Sequence, residues 1–209
     1  GHGDSSAGWS AYDVPSVGQD IIALICHFGG APAHLIGTSF SPASIVWAAV
    51  EAPERVKSLT LIGAFVRDPQ TNPVMQGVMW LMINNPFRVQ AWRAFYPTMF
   101  PSGKPHDFDR YLDKLTRNLK EVGRFDALKA YASASRTPSE TRLPQIQQPV
   151  LVVMGTADPD FPKPVEEAEY IAEQTSGQLA LIEGAGHYPQ SEMPDETVSV
   201  ILEFLQQVN

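Results

Sequence analysis

Apolar positions recur along the chain in two alternating rhythms. Val17, Ile21, Ile22, Leu24 and Ile25 return every three or four residues and predict a helix closed by Gly29-Gly30. The short run His34-Leu35-Ile36-Gly37 suits a buried strand, which ends at Thr38-Ser39-Phe40-Ser41. From Pro42, the residues Ala43, Ile45, Val46, Ala48, Ala49 and Val50 give a helix that is apolar nearly all round, and Val56 to Ile62 reads as another strand. Strand, tight turn, helix and strand make one βαβ unit of a parallel sheet.

Between Asp68 and Leu143 the rhythm changes to aromatic and Met-rich helical segments broken by Pro73, Pro86, Pro97, Pro101 and Pro105. Four helices fit there, at about 73–84, 86–96, 106–122 and 124–134, with Asp107 as a cap for the third and no strand among them. The sheet resumes with Val150-Leu151-Val152-Val153-Met154, all apolar as in a strand covered on both faces. A helix at about 163–175, a strand at Leu179-Ala180-Leu181-Ile182 and an amphipathic helix from Asp195 to Gln207 complete the chain. The layout is α/β: core residues 1–66, a helical insertion at 67–146, and a second core part at 147–209. The opening run Gly1-His2-Gly3-Asp4-Ser5-Ser6-Ala7-Gly8 has turn formers and no strand before it, so the chain begins inside a loop.

Composition narrows the class. With 209 residues, 44% hydrophobic and 18% charged, the chain can bury one sizeable core. A formal net charge of -8 gives no attraction to phosphates or anionic lipid, so neither nucleic acid nor membrane is an expected partner. No apolar stretch is long enough to span a bilayer and no signal-peptide pattern opens the chain, which points to a cytoplasmic location. The single cysteine, Cys26, has no disulfide partner and falls in an apolar run, where a buried thiol is expected. His2, His27, His34 and His106 share no metal-ligand spacing, and the glycine pairs are wrongly flanked for a phosphate loop, so no metal or cofactor is expected.

Chemistry gathers at three strand ends. Gly37-Thr38-Ser39-Phe40-Ser41 sits between a strand and a helix, where a serine on a sharp turn would be presented, although an ordinary turn with Ser39 or Ser41 capping the helix has the same spelling. Gly155-Thr156-Ala157-Asp158-Pro159-Asp160-Phe161-Pro162 follows the next-to-last strand, and Glu183-Gly184-Ala185-Gly186-His187-Tyr188-Pro189 follows the last. All three loops leave the C-terminal edge of a parallel sheet, the edge where such sheets collect their sites. A serine hydroxyl needs a base to take its proton, and an imidazole base needs a carboxylate to fix its tautomer.

These motifs, with the opening Gly1-His2-Gly3-Asp4-Ser5, resemble the α/β-hydrolase superfamily with a helical cap, and the resemblance covers essentially the whole chain. It implies Ser39 as nucleophile, His187 as general base, Asp158 as the orienting acid with Asp160 as its rival, and the Phe40 N–H as one oxyanion donor. Position 41 departs from the family's elbow, carrying serine where glycine is usual. Most of the cap aromatics and methionines would simply pack the cap's own core, and the remainder, with Met79, Trp80, Trp92 and Phe95 as candidates, would roof the crevice and hold an apolar part of a small-molecule substrate. The implied activity is hydrolysis of an ester, thioester or related carbonyl compound through an acyl-enzyme. The alternative is a small-molecule receptor on the same fold with little turnover. The family's sheet has about eight strands and four are placed here, so the resemblance implies that the N-terminal half of the sheet, with a second oxyanion donor, is absent. The strand at 34–37 would then be a bare edge open to an upstream segment, a covering chain or a second copy of the protein.

Overall fold

The computed structural model describes residues 1–68 and 73–208. In chain order the elements are α1 (Val14–His27), β1 (Ala33–Thr38), α2 (Ser41–Glu51), β2 (Val56–Ile62), α3 (Pro73–Asn84), α4 (Arg88–Phe95), α5 (Phe108–Leu119), α6 (Arg124–Ser133), α7 (Thr137–Glu140), β3 (Val150–Gly155), α8 (Pro164–Thr175), β4 (Gln178–Ile182), α9 (Pro189–Glu192) and α10 (Pro194–Gln207). The four strands form one parallel sheet in the order β1-β2-β3-β4.

The core follows from the apolar pattern. Every residue of β3 is buried, as its unbroken apolar run requires, and α2 is buried from Pro42 to Ala49 because it lies between the sheet and α1. Ile45, Val46, Leu59, Leu61, Val152 and Ile171 pack into one cluster on that face, and Val153, Ile182 and Phe204 form a second on the other. Each such side chain contributes about 1.5–3 kcal/mol by leaving water. β1 and β4 are the sheet's edges among the described residues. Hence β1 is not the buried strand its composition suggests: Ile36 is half exposed, because nothing described covers its outer side.

The insertion between β2 and β3 is helical, as expected, with no strand among its described residues. Its four main helices lie where the periodicity puts them, and a short fifth, α7, was not anticipated. The predicted cap at Asp107 is only positional. Asp107 precedes α5, but its carboxylate accepts from Arg110 at 3.1 Å and makes no capping bond. At α1 the cap is real, with the Ser16 N–H donating to Asp13 Oδ1 at 2.8 Å. Among the described residues no helix is long and apolar enough to cross a membrane.

Cys26 contradicts its expected burial. The face of α1 turned inward carries Val14, Gly18 and Ile25, and the next residue is rotated by about 100° around the helix, which turns the thiol to solvent. The native protein is therefore expected to react with one equivalent of an aromatic disulfide reagent without prior unfolding. Thiol release on mixing, compared with release in denaturant, checks this; a thiol that appears only on denaturation contradicts the exposed face.

Candidate active site

The strand register brings the three motif loops together. Thr38 pairs with Ile62, Ile62 with Val153 and Gly155 with Ile182, so the segments that leave these strands emerge along one edge. Ser39 follows β1 directly with φ +65°, one of two non-glycine residues with positive φ among those described. That backbone costs an L-residue about 1–2 kcal/mol. It is held from both sides: the Ser39 N–H donates to the Ile62 carbonyl at 3.0 Å, and the Phe65 N–H donates to the Ser39 carbonyl at 2.9 Å. Gly37 permits the turn, since a Cβ there would stand 2.4 Å from Ile45 Cδ1 and 3.2 Å from the Pro42 nitrogen. The helix begins behind Phe40 with no side-chain capping bond, so neither Ser39 nor Ser41 serves as a cap.

His187 is 1% exposed. Its Nδ1–H donates to Asp158 Oδ2 at 2.8 Å, the direction being set because a carboxylate can only accept. Asp158 is itself buried, and its Oδ1 accepts from the Asp160 N–H at 2.9 Å. The other ring nitrogen, Nε2, is buried and has no hydrogen-bond partner. The Asp160 carboxylate stands 3.7 Å from it. Burial opposes the charged imidazole, but the Asp158 hydrogen bond, the charges of Asp158 and Asp160 and the more distant Glu192 outweigh it, so His187 protonates above its usual range. Gly63, one residue past Ile62, makes room for the ring: its φ is +50°, and a Cβ would lie 3.3 Å from both Cε1 and Nδ1 of His187. Ser39 and His187 thus back onto the same short segment from Ile62 to Phe65.

Asp158, Asp160 and His187 each offer one oxygen or nitrogen within 4.8 Å of the others. The direct Asp158–His187 hydrogen bond makes this an acid–imidazole pair with a second acid beside it.

Several site residues were not read from the sequence. The rings against His187 are Phe65, Phe161 and Tyr188, with centroids at 5.7, 6.3 and 4.9 Å. The insertion reaches the site through its main chain: the Met99 carbonyl accepts the His187 N–H at 3.0 Å, and Tyr188 stacks on Phe100. At the elbow, Tyr131 of α6 donates to the Phe40 carbonyl at 3.0 Å, and the buried Arg136 guanidinium lies 4.7 Å over the Phe40 ring. Of the residues expected to roof the crevice, Met79 and Trp80 are exposed on α3, Trp92 is half buried beside Phe125, and Phe95 is half buried beside Tyr96 in a cluster that Tyr188 joins. Aromatic content marked the insertion as a source of apolar surface but carried no direction.

A model of the alpha/beta hydrolase family matches residues 1–200. The chain belongs to that family. Its four-stranded parallel sheet with flanking helices is the α/β-hydrolase fold, and an esterase from Rhodococcus superposes on it with a TM-score of 0.81 at 20% identity, over all of this chain and 78% of that one. Among curated relatives, this alpha/beta hydrolase is 28% identical over 208 residues to the dihydrolipoyllysine-residue acetyltransferase component of the acetoin cleaving system of Pseudomonas putida. That match covers 99% of this chain and 54% of the relative, so the chain spans about half the relative's length. It is 25% identical over 202 residues to 3-oxoadipate enol-lactonase 2 of Acinetobacter baylyi, covering 93% of this chain and 71% of the lactonase.

Proposed function

We propose that this alpha/beta hydrolase cleaves esters, thioesters or related carbonyl compounds with an apolar portion, using Ser39 as nucleophile, His187 as base and then acid, and Asp158 as the orienting carboxylate. The observation that carries the reading is the buried 2.8 Å Asp158–His187 pair with Nε2 unbonded, on the same strand edge as a serine held at φ +65°. Asp158 fixes the tautomer that leaves Nε2 free to accept the Ser39 proton and stabilises the imidazolium that results. The Phe40 N–H, first in the helix turn behind the nucleophile, is the proposed oxyanion donor. Family membership and the named lactonase and esterase among its relatives support ester chemistry over other carbonyl reactions.

The test is hydrolysis of a short-chain p-nitrophenyl ester, together with the mass shift left by a serine-directed fluorophosphonate. One adduct per chain on Ser39 with steady turnover is the expected result. Stoichiometric capture of the ester without turnover would favour the receptor reading, and no adduct on Ser39 would reject both. Because His187 must be neutral to accept a proton and its pKa is raised by the Asp158 hydrogen bond and the neighbouring carboxylate charges, kcat/KM should fall with decreasing pH along a limb displaced upward from that of an ordinary imidazole. A rate that is flat across this range contradicts the role given to His187.

A further inference from the structure

The loop after β3 places two carboxylates on His187, one at each ring nitrogen. Asp158 takes the Nδ1 proton at 2.8 Å, and Asp160 Oδ2 stands 3.7 Å from Nε2, too far for a hydrogen bond. Nε2 is buried without a partner. The Asp160 carboxylate is similarly placed: its side chain is 20% exposed, and among the described residues no N–H or O–H donates to it. Its position is fixed by the main chain, since the Asp160 N–H is bonded to Asp158 Oδ1 and the adjoining Phe161 stacks on Phe65 at 4.5 Å. The titratable groups around it are Asp158 and His187, with Tyr188 and Glu192 beyond them, and His187 is the one of these that can carry positive charge.

In the proposed cycle the Ser39 oxygen bonds to the acyl carbon while its proton passes to Nε2. The bond from that carbon to the leaving oxygen, sulfur or nitrogen then breaks, and Nε2 returns the proton to the departing atom. Water later releases the acyl group. The leaving group therefore departs past Nε2, beside Asp160. A carboxylate short of donors there attracts a leaving group that brings a cation and repels one that brings an anion. We propose that Asp160 is the specificity-determining residue for the leaving-group half of the substrate, selecting alcohols or thiols that carry positive charge near the scissile bond over those that carry a carboxylate. This rests on the Ser39–His187–Asp158 reading. Burial pushes the Asp160 carboxyl up to about 6, against the pull of His187 and with the charge of Asp158 adding to it, so the preference should be strong at pH 8 and fade by pH 5.

The experiment uses butyrate esters of choline, ethylene glycol and glycolic acid, with each kcat/KM divided by the ester's hydroxide-catalysed rate constant. Asp160 also bears on the protonation of His187, but that scales all three esters alike, so the cationic-to-anionic ratio isolates the leaving group. The wild-type ratio at pH 8 is expected to exceed about tenfold, and to collapse toward unity in both Asp160→Asn and Asp160→Ser. Two variants guard against one that fails to fold. A ratio near unity in the wild type, or one retained in both variants while Ser39→Ala abolishes turnover, overturns the role of Asp160 alone. Turnover of the series that persists in Ser39→Ala, or is absent from the wild type, overturns the underlying reading and this inference with it.

Discussion

Ser39→Ala should lower kcat for a p-nitrophenyl ester by about 10⁶-fold and remove fluorophosphonate labelling, because the proposed cycle has the Ser39 oxygen as its nucleophile. Its melting temperature should stay close to that of the wild type. Alanine has the same Cβ as serine and meets the same backbone cost at φ +65°, so the strain is neither relieved nor increased. Ser39→Gly separates the two roles of the position: equally inactive, it should melt higher by the stability equivalent of about 1 kcal/mol, since glycine adopts positive φ freely. Parallel rate assays, intact-protein mass spectra and melting curves of the three proteins check this. Labelling that survives in Ser39→Ala, or that maps to Ser41, contradicts the assignment.

Asp158→Asn should cost about 10⁴-fold in kcat with the fold retained. The Asp158 Oδ1 that accepts the Asp160 N–H has an isosteric oxygen in asparagine, so the loop can keep its main-chain bond. The amide must then present its NH₂ to Nδ1. That forces Nδ1 to accept and moves the ring proton to Nε2, where a base for Ser39 is needed. Rate measurement beside a thermal melt distinguishes this from unfolding. Should Asp160→Asn show the 10⁴-fold loss on a neutral ester while Asp158→Asn shows little, the orienting acid is the other carboxylate.

The sheet was legible because β3 is apolar throughout and because turn formers punctuate each strand end, and the helix boundaries followed the prolines of the insertion. Where the reading missed, the cause was phase or partner. The run Ile21 to Cys26 is apolar at almost every position, so it does not state which side of α1 faces inward, and Cys26 was assigned to the wrong side. β1 has the composition of a covered strand, yet exposure depends on what lies beside it. In the site, Ser39, Asp158 and His187 were legible from glycine-flanked turns at strand ends. The rings that enclose His187 were not, although Phe161 and Tyr188 adjoin Asp160 and His187 in sequence and Phe65 follows β2 within three residues. Tyr131 and Met99 reach the site only through the return of the insertion, which no local pattern encodes. The same absence of direction applies to Trp80, which stands 64% exposed.

The bond from the His187 amide to the Met99 carbonyl ties the main chain of the insertion to the histidine loop. A roof that swung away on a hinge would strip a buried amide of its acceptor or drag the imidazole from its carboxylate, and either event would dismantle the machinery at the moment of loading. A ligand that enters while this bond is kept would pass between side chains, whose rotamers turn over in picoseconds to nanoseconds, with the main chain of the insertion seated. The same link runs the other way: the Tyr96–Met99 segment meets the His187 main chain through this bond and the neighbouring Tyr188 ring through Tyr96, so a displacement of that segment reaches the candidate base by two routes.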